Sequence, residues 1–363
     1  MPISAVSVAQ AYAMQQNGTQ LIDIREADEW ATGIAKDANV VSKAELEKNI
    51  CHYISDVDQP VMLLCGTGKR SDACALVLAA LGYTAVHSVQ GGTLAWQAAN
   101  MPMQAYTVTD FDLRYARQMV LPNIGRVGQK KLANARILMI GAGGLGSPAA
   151  FYLAAAGVGH ICLVDNDTVD LSNLQRQILH KNHNIGESKV SSAKTTLNEL
   201  NPAINIEIYQ DTITSSNIKQ YLNNIDLVID GTDNFTARYA ISDACTEVGI
   251  PWIYGAVYRF EGQVSMFHAS IPDRLTGCYR CLFPDAQNSS NAPNCTQAGV
   301  LGVVPGVVGL LQATEALKYL LGIGESLQGR LLHVDLLSMQ FHETRMQADP
   351  ECQTCGVFDS DNQ

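Results

Sequence analysis

A glycine-rich turn is the strongest chemical signal in this sequence. The segment GAGGLGS places Gly141, Gly143 and Gly146 in the spacing G-x-G-x-x-G, directly after the apolar run of residues 136–140. Glycines at this spacing allow a sharp turn from a strand into a helix and let backbone N–H groups approach a phosphate. The turn therefore predicts a nucleotide-binding unit, with Gly144 inside the same phosphate loop.

Acidic, amide and basic residues follow the next predicted strand. Asp165 ends the apolar run of residues 161–164, where a carboxylate can bind ribose hydroxyls. Asn173, Arg176 and Lys189 come after it and bring two cations to one side of the pocket. Fixed cations suit an enzyme that cleaves ATP between the α and β phosphates, because negative charge grows on the departing pyrophosphate. An NAD(P)-dependent oxidoreductase, which the glycines and the carboxylate alone would favour, has no obvious use for them.

A second carboxylate, Asp233, follows the apolar run of residues 225–229 in the segment DGTDN. The carboxyl ends of parallel strands border the ligand crevice of such a sheet. Mg²⁺ in nucleotide sites is held by one or two carboxylates together with phosphate oxygens. Asp233 is therefore predicted to bind Mg²⁺ beside the ATP phosphates. Alternatively, it caps the helix that is predicted to begin near Phe235.

These segments together resemble the adenylating domain of the E1-like family that includes MoeB, ThiF and the ubiquitin-activating enzymes. The motifs that carry the resemblance are GAGGLGS, LVDNDTVDLSNLQRQ, GESKV and GTDN, between about Leu113 and Cys355. The resemblance implies a Rossmann-like domain that uses ATP and Mg²⁺. It also implies a substrate, the C-terminal Gly-Gly carboxylate of a ubiquitin-like sulfur-carrier protein of the MoaD or ThiS type.

Two arginines, Arg114 and Arg117, lie in a helix that is predicted to begin at Asp110. Their spacing puts them on one face of that helix, which by itself could be an ordinary solvated face. In the resembled family the second arginine reaches from one protomer of a dimer to the ATP phosphates bound by the other. The resemblance therefore implies a homodimer in which Arg117 is catalytic.

Cys65 stands at another predicted turn from a strand into a helix. The run of residues 60–64 leads into the loop CGTGKRS, and a helix is predicted over residues 72–81. Backbone N–H groups, the helix dipole and a nearby arginine would all favour the thiolate, whereas the alternative is an inert buried thiol. The loop, together with LIDIREADEW and GGTLAW, resembles the rhodanese family, in which this cysteine carries a persulfide. The resemblance implies a sulfurtransferase domain in which Cys65 is catalytic.

Two C-x-x-C pairs lie towards the end of the sequence, Cys278 with Cys281 and Cys352 with Cys355. Four thiolates without a further candidate ligand predict a closed tetrahedral Zn²⁺ site that is structural rather than catalytic. A disulfide or redox pair is the alternative. A further thiol, Cys295, lies in the polar loop NAPNCTQAG. In some members of the E1-like family a cysteine in this loop attacks the acyl-adenylate or relays sulfur, and otherwise it is a spare residue.

Composition narrows the remaining possibilities. The 363 residues carry a net charge of −11, and 47% of them are hydrophobic, so folded domains are expected and nucleic acid is not expected as a partner. No signal peptide is predicted, and the longest apolar run, residues 298–311, is too short to cross a bilayer. Ten cysteines without an export signal favour metal ligands and nucleophiles over disulfides, so a cytoplasmic protein without membrane partners is expected.

We therefore predict an α/β protein with a rhodanese-like domain over residues 1–102, a linker over 103–112, and a Rossmann-like E1 adenylation domain over 113–363. The adenylation domain is predicted to have a mostly parallel sheet and a zinc site made of four cysteines. The predicted reaction is adenylation of a sulfur carrier coupled to sulfur transfer from a Cys65 persulfide, which a donor such as a cysteine desulfurase would load. The thiocarboxylate would feed molybdopterin or thiamin biosynthesis. A non-catalytic scaffold with a sulfur-binding domain is a further alternative, against which the intact motifs argue.

Overall fold

The computed structural model describes residues 4–54, 56–121, 123–268, 276–284 and 299–356. The chain divides into two compact units, Met1–Gln129 and Lys130–Gln363. The narrower domain and linker boundaries expected from the sequence remain predictions. Among the helices that lie in the described ranges, none is both long enough and apolar enough to cross a membrane.

The first unit is an α/β fold. Its strands are β1 (Ser4–Val6), β2 (Gln20–Asp23), β3 (Ile34–Ala35), β4 (Asn39–Val40), β5 (Val61–Leu64), β6 (Val86–Val89) and β7 (Met103–Gln104). Its helices are α1 (Val8–Gln16), α2 (Ala27–Trp30), α3 (Lys43–Lys48), α4 (Ile50–Tyr53), α5 (Lys69–Ala80), α6 (Gly92–Ala98) and α7 (Asp110–Met119), and α8 (Gly125–Asn134) includes the point of division. Five strands form a sheet in the order β1-β6-β5-β2-β4 with parallel neighbours.

The central strand of this sheet, β5, is buried on both faces. Leu63 and Cys65 pack in one apolar cluster, whereas Met62 and Leu64 pack in another. Alternate side chains of a strand point to opposite faces, so two layers cover the sheet and the strand reads as a continuous apolar run. The carboxyl end of β5 consequently presents Cys65 at the edge of the sheet.

The second unit is also α/β. Its strands are β8 (Arg136–Ile140), β9 (His160–Val164), β10 (Asn205–Tyr209), β11 (Leu227–Asp230), β12 (Trp252–Tyr258), β13 (Glu261–Phe267), β14 (Arg330–Asp335) and β15 (Gln340–Arg345). Its further helices are α9 (Gly146–Ala156), α10 (Lys189–Leu200), α11 (Ile218–Tyr221), α12 (Phe235–Val248), α13 (Tyr279–Leu282) and α14 (Val303–Leu321).

These strands form one sheet in the order β10-β9-β8-β11-β12-β13-β14-β15. The pairs from β10 to β12 are parallel, and the pairs from β12 to β15 are antiparallel. From β8 the chain continues to β9 and β10 on one side of the sheet, and then returns to place β11 on the other side of β8. This reversal creates a crevice at the carboxyl ends of β8 and β11, where ligands bind in open α/β sheets.

The helices and strands expected from the sequence are present in the described residues, and one helix begins earlier than expected. The strand predicted over residues 136–140 is β8 itself, but the helix predicted over residues 72–81 already begins at Lys69. Gly68 precedes that helix in the left-handed conformation, with φ of 94°, which completes the turn early. The loop around Cys65 is therefore shorter than the sequence pattern indicated.

Candidate functional sites

A cavity of about 630 Å³ lies at the carboxyl ends of β8, β9 and β11. Its position is the crevice that the sheet topology predicts. Most of the predicted nucleotide-binding residues share its wall. These are Gly141, Gly143, Gly144, Asp165, Arg176, Lys189 and Asp233.

The glycine turn after β8 has no room for side chains at its two ends. A Cβ atom on Gly141, whose φ is 100°, would lie 2.7 Å from the carbonyl oxygen of Gly231. A Cβ atom on Gly146 would lie 2.0 Å from the carbonyl oxygen of Gly141. The chain can therefore turn from β8 into α9 only with glycine at these positions.

Asp165 joins the end of β9 to the glycine turn. Its carboxylate accepts hydrogen bonds from the backbone N–H groups of Ala142 at 2.7 Å and Asp167 at 2.8 Å. The carboxylate is half-buried in the cavity wall. These bonds hold it in a fixed orientation at the place where a ribose is expected.

Two predicted cations lie in the wall of the cavity. The side chain of Lys189 is 6% exposed, and its Nζ lies 2.8 Å from a carboxylate oxygen of Asp167. Arg176 donates a hydrogen bond from Nη1 to the carbonyl oxygen of Ser172 at 3.0 Å. Both predicted cations therefore lie in the cavity wall, where Lys189 is paired with Asp167.

Asn173 does not belong to the cavity wall. Its side-chain oxygen accepts a hydrogen bond from the N–H of Asp170 at 3.1 Å. This bond completes a capping box around the short 3-10 helix Leu171–Asn173. A contact between this side chain and ATP remains a prediction.

The segment after β11 places Asp233 in the wall, exposed to solvent. The neighbouring residue caps α12, because the side-chain oxygen of Asn234 accepts a hydrogen bond from the N–H of Ala237 at 2.9 Å. The alternative role of Asp233 as the helix cap is therefore filled by Asn234. The role of Asp233 as a Mg²⁺ ligand remains a prediction.

The sequence analysis missed Arg238, a buried cation in the same wall. Its Nε lies 3.3 Å from a carboxylate oxygen of the buried Asp230, and its Nη2 donates a hydrogen bond to the carbonyl oxygen of Thr232 at 2.8 Å. Burial raises the pKa of Asp230, and the charge of Arg238 opposes that rise. The pair supports the loop that carries Asp233. The sequence feature that could have indicated this role is an arginine about one helical turn after the DGTDN segment.

A second missed residue, His180, lies beneath the glycine turn. Its Nε2 is 3.0 Å from the carbonyl oxygen of Ala142, and its Nδ1 is 2.9 Å from the hydroxyl of Ser192. Burial lowers the pKa of this imidazole. A neutral ring that donates to the carbonyl and accepts from the hydroxyl satisfies both contacts and braces the turn.

In the first unit, the thiol of Cys65 is surrounded by hydrogen-bond donors. Its sulfur lies 3.2 Å from the backbone nitrogen of Gly68, 3.4 Å from that of Ser71 and 3.5 Å from the Ser71 hydroxyl oxygen. Burial raises the pKa of the thiol. Hydrogen bonds from Ser71, Thr67 and Gly68 together lower it by more than burial raises it, so the pKa lies below its usual value. This environment favours the thiolate and disfavours the inert-thiol alternative.

The arginine of this loop contacts a carboxylate rather than the thiol. Arg70 makes two hydrogen bonds to Glu29, each at 2.6 Å. The hydrogen bonds to the Cys65 sulfur come from Ser71, Thr67 and Gly68. Arg70 can therefore stabilise the thiolate only by long-range electrostatic attraction, and not by direct contact.

The four predicted metal ligands converge. The sulfur atoms of Cys278, Cys281, Cys352 and Cys355 all lie within 4.8 Å of one another. Three described pairs are separated by 3.9, 3.6 and 3.4 Å, against an edge of about 3.8 Å for a tetrahedron with Zn–S bonds of ~2.3 Å. These separations far exceed a disulfide bond of about 2.05 Å. The donor set therefore fits one tetrahedral metal ion.

Two predicted site residues remain. Arg117 is exposed on α7 in the first unit. Cys295 lies outside the described residues.

Comparison with known proteins agrees with this geometry. The ThiF family model matches residues 115–354, and a rhodanese-like domain model matches residues 7–99. A sulfur carrier protein adenylyltransferase of Thermus thermophilus is 46% identical over 244 residues, which cover 67% of this chain and 90% of that protein. Adenylyltransferase and sulfurtransferase MOCS3 of Sus scrofa is 43% identical over 257 residues, which cover 70% of this chain and 56% of that protein.

Among solved structures, the E. coli MccB complex with ATP has the same fold in the matched region. Its TM-score is 0.58 at 23% identity, with 67% of this chain and 74% of that chain covered. The family model spans most of the chain, including the segments that form the cavity wall. The chain therefore belongs to the ThiF family and carries a rhodanese-like domain ahead of the family's own domain.

Proposed function

We propose that this protein adenylates the C-terminal carboxylate of a ubiquitin-like sulfur carrier and converts it to a thiocarboxylate with sulfur from Cys65. The observation that carries the proposal is the meeting of the glycine turn with Arg176 and Lys189 at one crevice, because hydride transfer needs no such cations. A relative at 46% identity is named for sulfur-carrier adenylation, and another at 43% is named for both activities.

The adenylation step needs positioning and charge stabilisation rather than a base. The attacking carboxylate is already ionised at neutral pH, and it attacks the α-phosphorus of ATP while pyrophosphate leaves with the electron pair. Asp165 would hold the ribose, and Asn173, Arg176 and Lys189 would hold the phosphates and stabilise the leaving group. Asp233 would hold Mg²⁺, which would neutralise part of the phosphate charge.

The sulfur step begins with a persulfide on Cys65. Its terminal sulfur attacks the acyl carbon, a C–S bond forms, and AMP leaves with the electrons of the acyl C–O bond. A second thiolate then attacks the Cys65 sulfur, so that the S–S bond breaks, the carrier leaves as a thiocarboxylate, and a disulfide remains. A cellular dithiol reductant would reduce that disulfide. Cys295 is our candidate for the second thiolate.

A homodimer would supply the remaining cation. Arg117 is proposed to reach the ATP phosphates bound by the other protomer. Mixing Arg117→Ala protein with Asp233→Ala protein tests this role, because a heterodimer would contain one site with neither substitution. Recovery of activity on mixing is expected, and two variants that stay inactive together would contradict the composite site.

We propose Zn²⁺ for the four-cysteine site, with a structural role. The ion would join the segment of Cys278 and Cys281 to the segment of Cys352 and Cys355. About one zinc per chain is expected by elemental analysis. Cys352→Ser should lose the metal and lower the melting temperature, while the residual folded enzyme keeps ATP–pyrophosphate exchange. Metal-free protein with unchanged melting would contradict this role.

The decisive experiment measures the intact mass of candidate carriers. MoaD-like and ThiS-like proteins are incubated with the enzyme, Mg·ATP, a cysteine desulfurase and cysteine. The carrier that gains AMP and then sulfur distinguishes the molybdopterin from the thiamin pathway. Cys65→Ser should stop at the adenylate, and Asp233→Ala should lose the adenylate. If no carrier gains either group, the proposed function fails for those carriers.

A further inference from the structure

The cysteine loop contains one arginine, and its guanidinium is bound within its own unit. Arg70 Nη1 and Nη2 each lie 2.6 Å from a different carboxylate oxygen of Glu29. The hydrogen bond from Arg70 lowers the pKa of Glu29 to about 2, so this carboxylate is ionised at neutral pH. A bidentate pair of this kind is among the stronger polar contacts in proteins.

This ion pair lies against the loop that holds the reactive sulfur. A Cβ atom on Gly66, the residue after Cys65, would lie 3.3 Å from Arg70 Nη2 and 3.7 Å from Glu29 Oε1. The two side chains are 38% and 35% exposed, so a small solute can reach them from solvent. Any donor that approaches Cys65 on this side therefore meets a carboxylate as well as a guanidinium.

The guanidinium is not among the groups that hydrogen-bond to the Cys65 sulfur. The backbone N–H groups of Gly68 and Ser71 donate to this sulfur, and the Ser71 hydroxyl oxygen lies 3.5 Å from it. The hydrogen bonds to a Cys65 thiolate are thus made by neutral groups. A small dianion that bound to Nη1 and Nη2 of Arg70 in the same bidentate way would have to displace Glu29 and leave that carboxylate unpaired beside its own charge.

We propose that Glu29 determines which sulfur donors Cys65 accepts. By engaging Arg70, it disfavours small dianions such as thiosulfate and favours sulfane sulfur that is delivered on the thiol of a protein. This inference rests on the proposed role of Cys65 as a persulfide carrier. It adds to that role the residue that selects between donor classes.

The two donor classes differ in the charge that must be held during the same displacement. With thiosulfate, the Cys65 thiolate attacks the sulfane sulfur, the new S–S bond forms, and sulfite leaves with the electron pair and its full charge. With a protein persulfide, the same attack releases only a thiolate, and that thiolate stays on the partner protein. Only the first donor needs a cation at the mouth of the loop.

The test compares Glu29→Gln with Asp28→Asn. Asp28 is exposed on the same helix, and its substitution removes the same charge without touching Arg70. Persulfide formation is followed with thiosulfate, using cyanide to accept the sulfur as thiocyanate, and separately with a cysteine desulfurase plus cysteine. For Glu29→Gln, the KM for thiosulfate is expected to fall about five- to tenfold, while kcat and uptake from the desulfurase change less than about twofold.

The double variant Glu29→Gln/Arg70→Gln shows whether the gain passes through Arg70. Two amides can replace the ion pair with a neutral hydrogen bond, so this variant also serves if the single variant folds poorly. Its KM for thiosulfate should return to the wild-type value. A gain that persists in the double variant, or an equal gain in Asp28→Asn, overturns the inference.

Failure of the inference differs from failure of the proposed function. If wild-type protein takes sulfur from the desulfurase but Glu29→Gln uses thiosulfate no better than wild type, only the role of Glu29 is overturned. If wild-type Cys65 takes sulfur from neither donor, the persulfide function itself is overturned, and the inference falls with it.

Discussion

The cysteine loop of the first unit and the glycine turn of the second unit have the same local plan. Each follows a buried parallel strand, β5 or β8, and each leads into a helix, α5 or α9. Each also needs a glycine that approaches a backbone carbonyl. A Cβ on Gly92 would lie 2.0 Å from the Cys65 oxygen, and one on Gly146 would lie 2.0 Å from the Gly141 oxygen.

They differ in the groups that line the anion site. The sulfur of Cys65 is contacted by backbone N–H groups and by the Ser71 hydroxyl, and the arginine of its loop is paired with Glu29. The nucleotide cavity has Arg176 and Lys189 in its wall, and Lys189 is itself paired with Asp167. A single charge on sulfur can be stabilised by neutral dipoles, whereas a triphosphate that releases pyrophosphate needs cations. Similar turns thus serve different anions because of the side chains around them.

The largest expected effect comes from filling the glycine turn. Gly146→Ala places a methyl group against the Gly141 carbonyl and displaces the phosphate loop. ATP–pyrophosphate exchange should fall at least about 100-fold, because misplacement of about 1 Å costs that much. Gly306→Ala is the control, since a Cβ there has nothing within 4 Å. Near-normal exchange in Gly146→Ala would show that the turn tolerates a side chain.

The matching substitution in the first unit should damage only sulfur transfer. Gly92→Ala directs a methyl group at the Cys65 carbonyl, so persulfide uptake from a desulfurase should fall roughly 10- to 100-fold. ATP–pyrophosphate exchange by the same protein should stay within about twofold of wild type. Loss of both activities together would contradict the independence of the two turns.

A smaller effect is expected from the partner of Lys189. Asp167→Asn removes the carboxylate that lies 2.8 Å from the buried ammonium, so Lys189 is left without its ion pair. Pyrophosphate exchange should slow about tenfold. Glu199→Gln is the control, because the Lys181–Glu199 pair is 50% and 64% exposed and surface pairs contribute little. Equal rates in both variants would remove Asp167 from the mechanism.

The smallest effect concerns the thiolate. Ser71→Ala removes one of the hydrogen bonds that lower the pKa of Cys65, so the pKa should rise and less thiolate should be present at neutral pH. The ultraviolet absorbance of the thiolate, taken as a difference from Cys65→Ser, should titrate at higher pH. Sulfur uptake at pH 7 should fall roughly two- to fivefold. An unchanged titration would assign the low pKa to the backbone alone.

Much of this organisation was predictable because it depends on local spacing. Strand β8 and the turn after it follow from an apolar run that ends in glycines, and the four metal ligands follow from two C-x-x-C pairs. The roles of Asn234 and His180 were not predictable in this way. Asp233 and the neighbouring Asn234 are both residue types that cap helices, and the sequence does not indicate which of them does so. Nor does a histidine in the sequence reveal which backbone carbonyl it will contact.

The sequence by itself determined which residues can turn the chain, bind a phosphate, hold a metal or carry sulfur, because these capacities belong to residue types at short spacings. Only the tertiary structure decided which charges meet. It paired Arg70 with Glu29, Lys189 with Asp167 and Arg238 with Asp230. Such pairs join separate elements of a folded chain, and their strength depends on distances and burial that no local pattern encodes.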